Sequence, residues 1–135
     1  MEMKDLKASD VMVRPVIAAK KNAQVRDVAL QFLNGLYSGM PVTDQDGSVI
    51  GVITELDILG AVLAGKELVK ITAGEIMTKK PATADVDTPL TDIVKIMEEK
   101  NIIRLPITAD GKLVGIVARC DILATLIEPE FATYM

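Results

Sequence analysis

Histidine is absent from the 135 residues of this chain, and cysteine occurs once, as Cys120. The first absence removes both the commonest general base and the commonest zinc ligand. The second rules out an internal disulfide and agrees with a reducing compartment. Long apolar runs are also missing: runs such as Leu113 to Ala118 fall far short of the ~20 residues that a membrane helix needs. The opening stretch, Met1 to Ser9, alternates charged and small residues and has no signal-peptide core. These features lead us to expect a soluble, cytoplasmic protein. There is no basic stripe either. Lysines and acids are interspersed and the net charge is −4, which argues against nucleic acid as a partner. A Gly-rich phosphate loop and a nucleophile–base pair are both wanting, so catalysis is not expected.

Half of the residues are apolar, and they come in a pattern that repeats. Ser9-Asp10-Val11-Met12 aligns with Gly74-Glu75-Ile76-Met77 at an offset of 65, which also pairs Asp27 with Asp92 and Pro41 with Pro106. One residue is then lost. An offset of 64 pairs Gly47 with Gly111, Gly51 with Gly115, and Asp57-Ile58-Leu59 with Asp121-Ile122-Leu123. Two copies therefore fill nearly everything from Ser9 to Ile127, as domains over 8–64 and 73–127, with a linker at 65–72 and a C-terminal tail at 128–135.

Each copy carries the same local signals. Val25, Val28, Ala29, Phe32, Leu33 and Leu36 recur at helical spacing, as do Leu90, Ile93, Val94 and Met97. A strand follows (Met40 to Thr43; Leu105 to Thr108), then a turn at Asp46-Gly47 or Asp110-Gly111, where glycine supplies the positive φ of a tight hairpin. The next strand (Val49 to Thr54; Leu113 to Ala118) is continuously apolar, which predicts burial on both faces. A second helix closes each copy (Glu55 to Ala64; Arg119 to Ile127), and Pro129 is expected to cut it off from the tail. A short strand before the first helix (Val16 to Ala19; Pro81 to Ala84) completes a β-α-β-β-α order. A unit of about 55 residues is marginal alone, so an α/β (α+β) fold is predicted with the two repeats packed sheet to sheet.

These residues resemble a known family. The leading Asp-Val-Met or Glu-Ile-Met, the proline in the second strand, and an apolar-Gly-apolar strand running into Asp-Ile-Leu resemble the CBS domain; two in tandem resemble a Bateman module with pseudo-twofold symmetry. The resemblance implies binding of AMP, ADP, ATP, S-adenosylmethionine or a related adenosine ligand in two clefts between the repeats. By position, cleft A takes Thr54 and Asp57 with Ala82, Thr83, Ile103, Arg104 and Pro106. Asp57 would hold the ribose, Thr54 would support ribose or phosphate, and Arg104, with Lys79 or Lys80, would supply charge for phosphate. Cleft B takes Asp121 with Ile17, Ala18, Ser38, Gly39, Met40 and Pro41. There Ala118, Ala18 and Gly39 stand where cleft A has Thr54, Thr83 and Arg104, so cleft A is expected to be the stronger.

Plainer readings stand beside these. Thr54-Glu55-Leu56-Asp57 is a capping-box pattern in its own right; Ala118 cannot cap in that way, and yet Asp121 stays. Arg104 also reads as a solvated strand-edge charge. Asp44 and Asp46 read as turn residues rather than cation ligands, and Cys120 as a small, partly buried side chain. Two functions follow from the sequence. One is a regulatory ligand sensor acting on its own oligomer or on an unidentified protein effector. The other is a structural or dimerisation module without a physiological ligand. The closing helices carry apolar residues on more than one side (Ile58, Leu59, Val62, Leu63; Ile122, Leu123, Leu126, Ile127), so a homodimer through them is expected.

Overall fold

A computed structural model of the chain describes residues 2–14, 16–35 and 39–134, with side chains through Ile127. The elements run in the order α1 (Ala8–Val11), β1 (Ala19–Lys20), α2 (Val25–Gly35), β2 (Gly39–Thr43), β3 (Val49–Thr54), α3 (Glu55–Leu63), α4 (Ala73–Ile76), β4 (Thr78–Lys79), β5 (Ala84–Asp85), α5 (Leu90–Lys100), β6 (Arg104–Ala109), β7 (Lys112–Ala118) and α6 (Arg119–Tyr134). They form a sheet in the order β1-β2-β3-β4 and a second in the order β5-β6-β7. The predicted mixed α/β repeat is therefore present twice. Leu36 of the predicted helical stripe lies outside the described residues.

The compact units do not coincide with the repeats. One unit is the continuous stretch Ile17–Pro81; the other joins Met1–Val16 to Ala82–Met135. Each repeat thus lends its opening arm to the unit built around the other. In the continuous unit, Ala73 and Gly74 donate to the carbonyls of Ala23 and Lys21 at 2.9 and 2.8 Å, and Thr78 and Lys79 pair with Val52 and Gly51. In the joined unit the equivalent bonds run from Ala8 to Thr88 and from Ser9 to Val86, and Val13 bridges Ile116. The stretch read as a linker also takes part: Ile71 is buried in the core of the continuous unit.

The arm explains the glycine of each apolar-Gly-apolar strand. A Cβ on Gly51 would lie 2.5 Å from Met77 Sδ and 2.8 Å from the Thr78 carbonyl oxygen, and one on Gly115 would lie 2.5 Å from Met12 Sδ. The methionine of each opening motif therefore needs the glycine of the other copy. Behind these contacts lie two cores, one formed around Val25, Val28, Phe32, Val42 and Ile53, the other around Leu90, Ile93, Leu105, Ile107 and Val117. Each such fully buried side chain contributes about 1.5–3 kcal/mol.

Four expectations are corrected in detail. The first strands begin later than predicted, at Ala19 and Ala84, where they pair in parallel with Val42 and Ile107. Pro41 and Pro106 supply no N–H, and each parallel ladder starts just past them. The strands β3 and β7 bury only one face; Ile50, Val52, Val114 and Ile116 are half-buried. Pro129 does not end the last helix, because a proline removes one backbone bond and a helix can continue past that loss. Cys120 is exposed, since the buried side of α6 opens two residues later at Ile122.

The turns behave as read. Asp110 and Gly111 have φ of 53° and 79° and join Ala109 to its partner Lys112, a two-residue hairpin loop. The loop of the first repeat is longer, and Asp44 Oδ1 organises it by accepting from the amides of Asp46 and Ser48 at 2.9 and 3.0 Å.

Substitution at the two glycines separates backbone from side-chain obstruction. Gly51→Ala meets the fixed Thr78 carbonyl and is expected to cost about 1–3 kcal/mol. At Gly115→Ala the nearest atoms are Met12 Sδ and Cγ, which can swing away, with Met12 Cβ at 3.0 Å, so the cost should be less. Urea unfolding of the two variants checks the order.

Candidate functional site

In each unit the strand after the hairpin passes directly into a helix, and the first strand of the hairpin starts beside that junction. This makes one corner per unit. In the continuous unit, Gly39 is the ladder partner of Thr54, the residue that caps α3. Thr54 Oγ1 accepts from the Asp57 amide at 3.2 Å, and Asp57 Oδ2 accepts from the Thr54 amide at 2.9 Å. The capping box read from the sequence is therefore formed, and the half-buried Asp57 keeps Oδ1 without a hydrogen-bond partner among the described residues.

The corner of the joined unit is built from different side chains. Arg104 is the ladder partner of Ala118, whose amide donates to Asp121 Oδ2 at 2.9 Å. Asp121 is half-buried, and its Oδ1 likewise has no hydrogen-bond partner among the described residues. One residue along, the Arg119 amide donates to the Ile103 carbonyl at 3.1 Å, and Arg119 Nε to the Ile102 carbonyl at 3.0 Å. Asp121 thus holds its helix start without a hydroxyl partner, through the acidic half of the box alone.

Across the ladder the two corners exchange a large residue for a small one. A Cβ on Gly39 would stand 3.3 Å from the Ile53 oxygen and 3.4 Å from Thr54 Cγ2. The Ile53 carbonyl is the tighter of these contacts and the Thr54 methyl only touches the position; in the other unit that position holds Arg104, opposite the small Ala118. A capping hydroxyl and an arginine thus occupy alternative corners. Arg104, grouped by the resemblance with Thr54 and Asp57, shares its own unit's corner with Asp121.

The other candidates are placed as follows. Ile17 and Ile103 are exposed at 42% and 57%, while Ala18, Ala82 and Thr83 are half-buried. The side chains of Met40, Pro41 and Pro106 lie in the interior, so only their backbone can face a ligand. Lys79 pairs with Gly51, three residues up the strand from Thr54, and Lys80 follows outside the strand with a φ of 55°. Ser38 lies outside the described residues. Arg119 was missed by sequence reasoning, although the offset of 64 sets it against Glu55 and makes a reversal of charge visible.

The CBS domain family model matches residues 8–64 and 73–128. The chain belongs to the CBS domain family. The CBS domain pair of protein MJ0100, solved in complex with 5′-methylthioadenosine and S-adenosyl-L-methionine, is 29% identical with a TM-score of 0.76, over 93% of this chain and 98% of that one. The CBS-pair protein CBSX2 of Arabidopsis thaliana, solved in complex with AMP, is 25% identical with a TM-score of 0.80, over 92% and 98%. Protein MJ1426 of Methanocaldococcus jannaschii is 28% identical over 87% of this CBS chain and 89% of its own length. Other relatives are longer. The chain spans 32% of protein MJ1404 and 22% of an L-aspartate semialdehyde sulfurtransferase, both of Methanocaldococcus jannaschii. Among the described residues, no helix is long and apolar enough to cross a membrane.

The Thr54 cap gives a direct test of the corner's construction. Thr54→Ala removes the hydroxyl that holds the Asp57 amide and is expected to cost about 0.5–2 kcal/mol of stability in the absence of ligand. Chemical denaturation of the unliganded protein measures it.

Proposed function

We propose that this CBS pair is a regulatory sensor of an adenosine-containing ligand, held through the carboxylates at the starts of α3 and α6. The observation that carries this reading is the division of labour within each carboxylate. Asp57 and Asp121 each use Oδ2 to hold the helix start and leave Oδ1 unengaged among the described residues. An acceptor fixed in this way suits the hydroxyls of a ribose, since its rotamer is already set before the ligand arrives. The complexes of MJ0100 with 5′-methylthioadenosine and S-adenosyl-L-methionine, and of CBSX2 with AMP, support an adenosine compound. The exposed or half-buried Ile17, Ala18, Ala82, Thr83 and Ile103 are the residues proposed to meet the base and ribose.

The regulatory output passes to a second copy or to a protein effector. Leu56, Leu59, Val62 and Leu63 of α3 are exposed at 76, 63, 48 and 90%, and Leu123 and Ile127 of α6 at 61 and 49%. Apolar surface of this kind favours burial by a partner, and we propose a homodimer through these helices. The same surface is what favours the second reading, a dimerisation module without a ligand. A ligand shifts such an assembly only if it binds one arrangement better than the other.

A thermal-shift panel of AMP, ADP, ATP, S-adenosylmethionine, 5′-methylthioadenosine and NAD separates the two readings. A ligand at 100 times its dissociation constant stabilises by about 2.7 kcal/mol, a melting shift on the order of 5 °C or more for a chain of this size. A flat response across the panel would leave the dimerisation module. Light scattering tests the oligomer: a monomer at tens of micromolar, on the order of ordinary assay concentrations, contradicts the dimer.

A further inference from the structure

We infer that the two corners select adenosine ligands of opposite charge, with Glu55 and Arg119 as the residues that decide. The inference rests on the adenosine reading above and names the class of ligand at each corner. The corner of α3 presents Glu55 and Asp57 within the first helical turn, and its ladder position opposite Thr54 is Gly39, which carries no charge. The corner of α6 presents Asp121 together with two guanidinium groups, Arg119 and Arg104. Equivalent positions in two copies of one unit thus carry a carboxylate in one and a guanidinium in the other.

The Arg119 side chain is anchored as well as charged. Its Nε donates to the Ile102 carbonyl at 3.0 Å and its amide to the Ile103 carbonyl at 3.1 Å. This ties the start of α6 to the strand entry from which Arg104 emerges, so both cations belong to one edge. A guanidinium held like that of Arg119 suits the oxygens of a phosphate. Glu55, by contrast, adds a second carboxylate to the first turn of α3, exposed where Asp57 is half-buried; two residues apart on a helix the pair do not face each other, so Glu55 acts through the field at the helix start and not by contact. A dianionic phosphate brought there meets two like charges, while an uncharged thioether or a cationic sulfonium at the 5′ position does not. The α6 corner therefore takes a 5′-phosphorylated adenosine. The α3 corner takes an adenosine whose 5′ substituent is neutral or positive.

Calorimetric titration of the full chain with AMP and with 5′-methylthioadenosine tests this. Both compounds are expected to bind, and saturating 5′-methylthioadenosine should not displace AMP. Arg119→Glu should lower AMP affinity by roughly tenfold to a hundredfold, the range of a lost charge-assisted bond, and leave 5′-methylthioadenosine affinity unchanged. Arg119→Lys, which restores the charge, should recover most of the AMP affinity, and Glu55→Arg should add a second AMP equivalent. The inference is overturned if Arg119→Glu weakens both compounds alike, or if the two displace each other from one site. If neither these two nor any compound of the wider panel binds the parent protein, the adenosine reading itself fails, and that result differs visibly from binding without charge selection.

Discussion

Each unit depends on a methionine seated on a glycine, and the two belong to different repeats. Met77 lies where a Cβ on Gly51 would be, and Met12 does the same at Gly115. Burial of the arm beside that contact brings Ala8 and Ala73 to 0% exposure, so each arm is part of a core and not a surface strap. The contact also holds the strand that leads into the closing helix. Gly51 is three residues before Thr54 and Gly115 three before Ala118, so the position of each corner follows from how its arm is seated. Loss of that seat would loosen the carboxylate that the helix start depends on.

A common scaffold then lets the corners diverge. The backbone is alike in both: a strand entry beside a strand exit, with an aspartate three residues past the last strand residue. What differs is the side chains the pairing permits. Thr54 stands opposite glycine across the ladder; Ala118 stands opposite arginine. Gly39 and Arg104, aligned by the offset of 65, are the two halves of this difference. Electrostatics at a conserved hydrogen-bond framework can thus change while the framework keeps its stability, because charge at an exposed edge costs the fold little.

Much of this was legible in the chain. Helices α2 and α5, the strands β2, β3, β6 and β7, and the start of each closing helix follow from periodicity and turn chemistry, which act over short stretches. The Thr54–Asp57 box was legible for the same reason. Which repeat each arm completes was not, because offsets of 64 and 65 align copies without saying whose glycine meets whose methionine. Nor was the helical path past Pro129, where a local rule met a helix able to lose one bond. That Arg104 stands opposite Ala118 needed strand register, which an offset between copies does not give. Arg119 escaped because it fills a position between Ala118 and Asp121 where the box requires no particular residue type.

The exchange of arms has a consequence for counting. A solitary repeat would present an arm with nowhere to go and a glycine notch with nothing to fill it. Two such repeats satisfy each other, whether fused in one polypeptide or supplied by separate molecules. Reciprocity of this kind favours even numbers: a third copy would leave one notch bare, with an unpaired strand edge beside it, or would have to take an arm from a neighbouring molecule. Parity, as much as sequence, is therefore what makes the pair the smallest piece of this chain that closes.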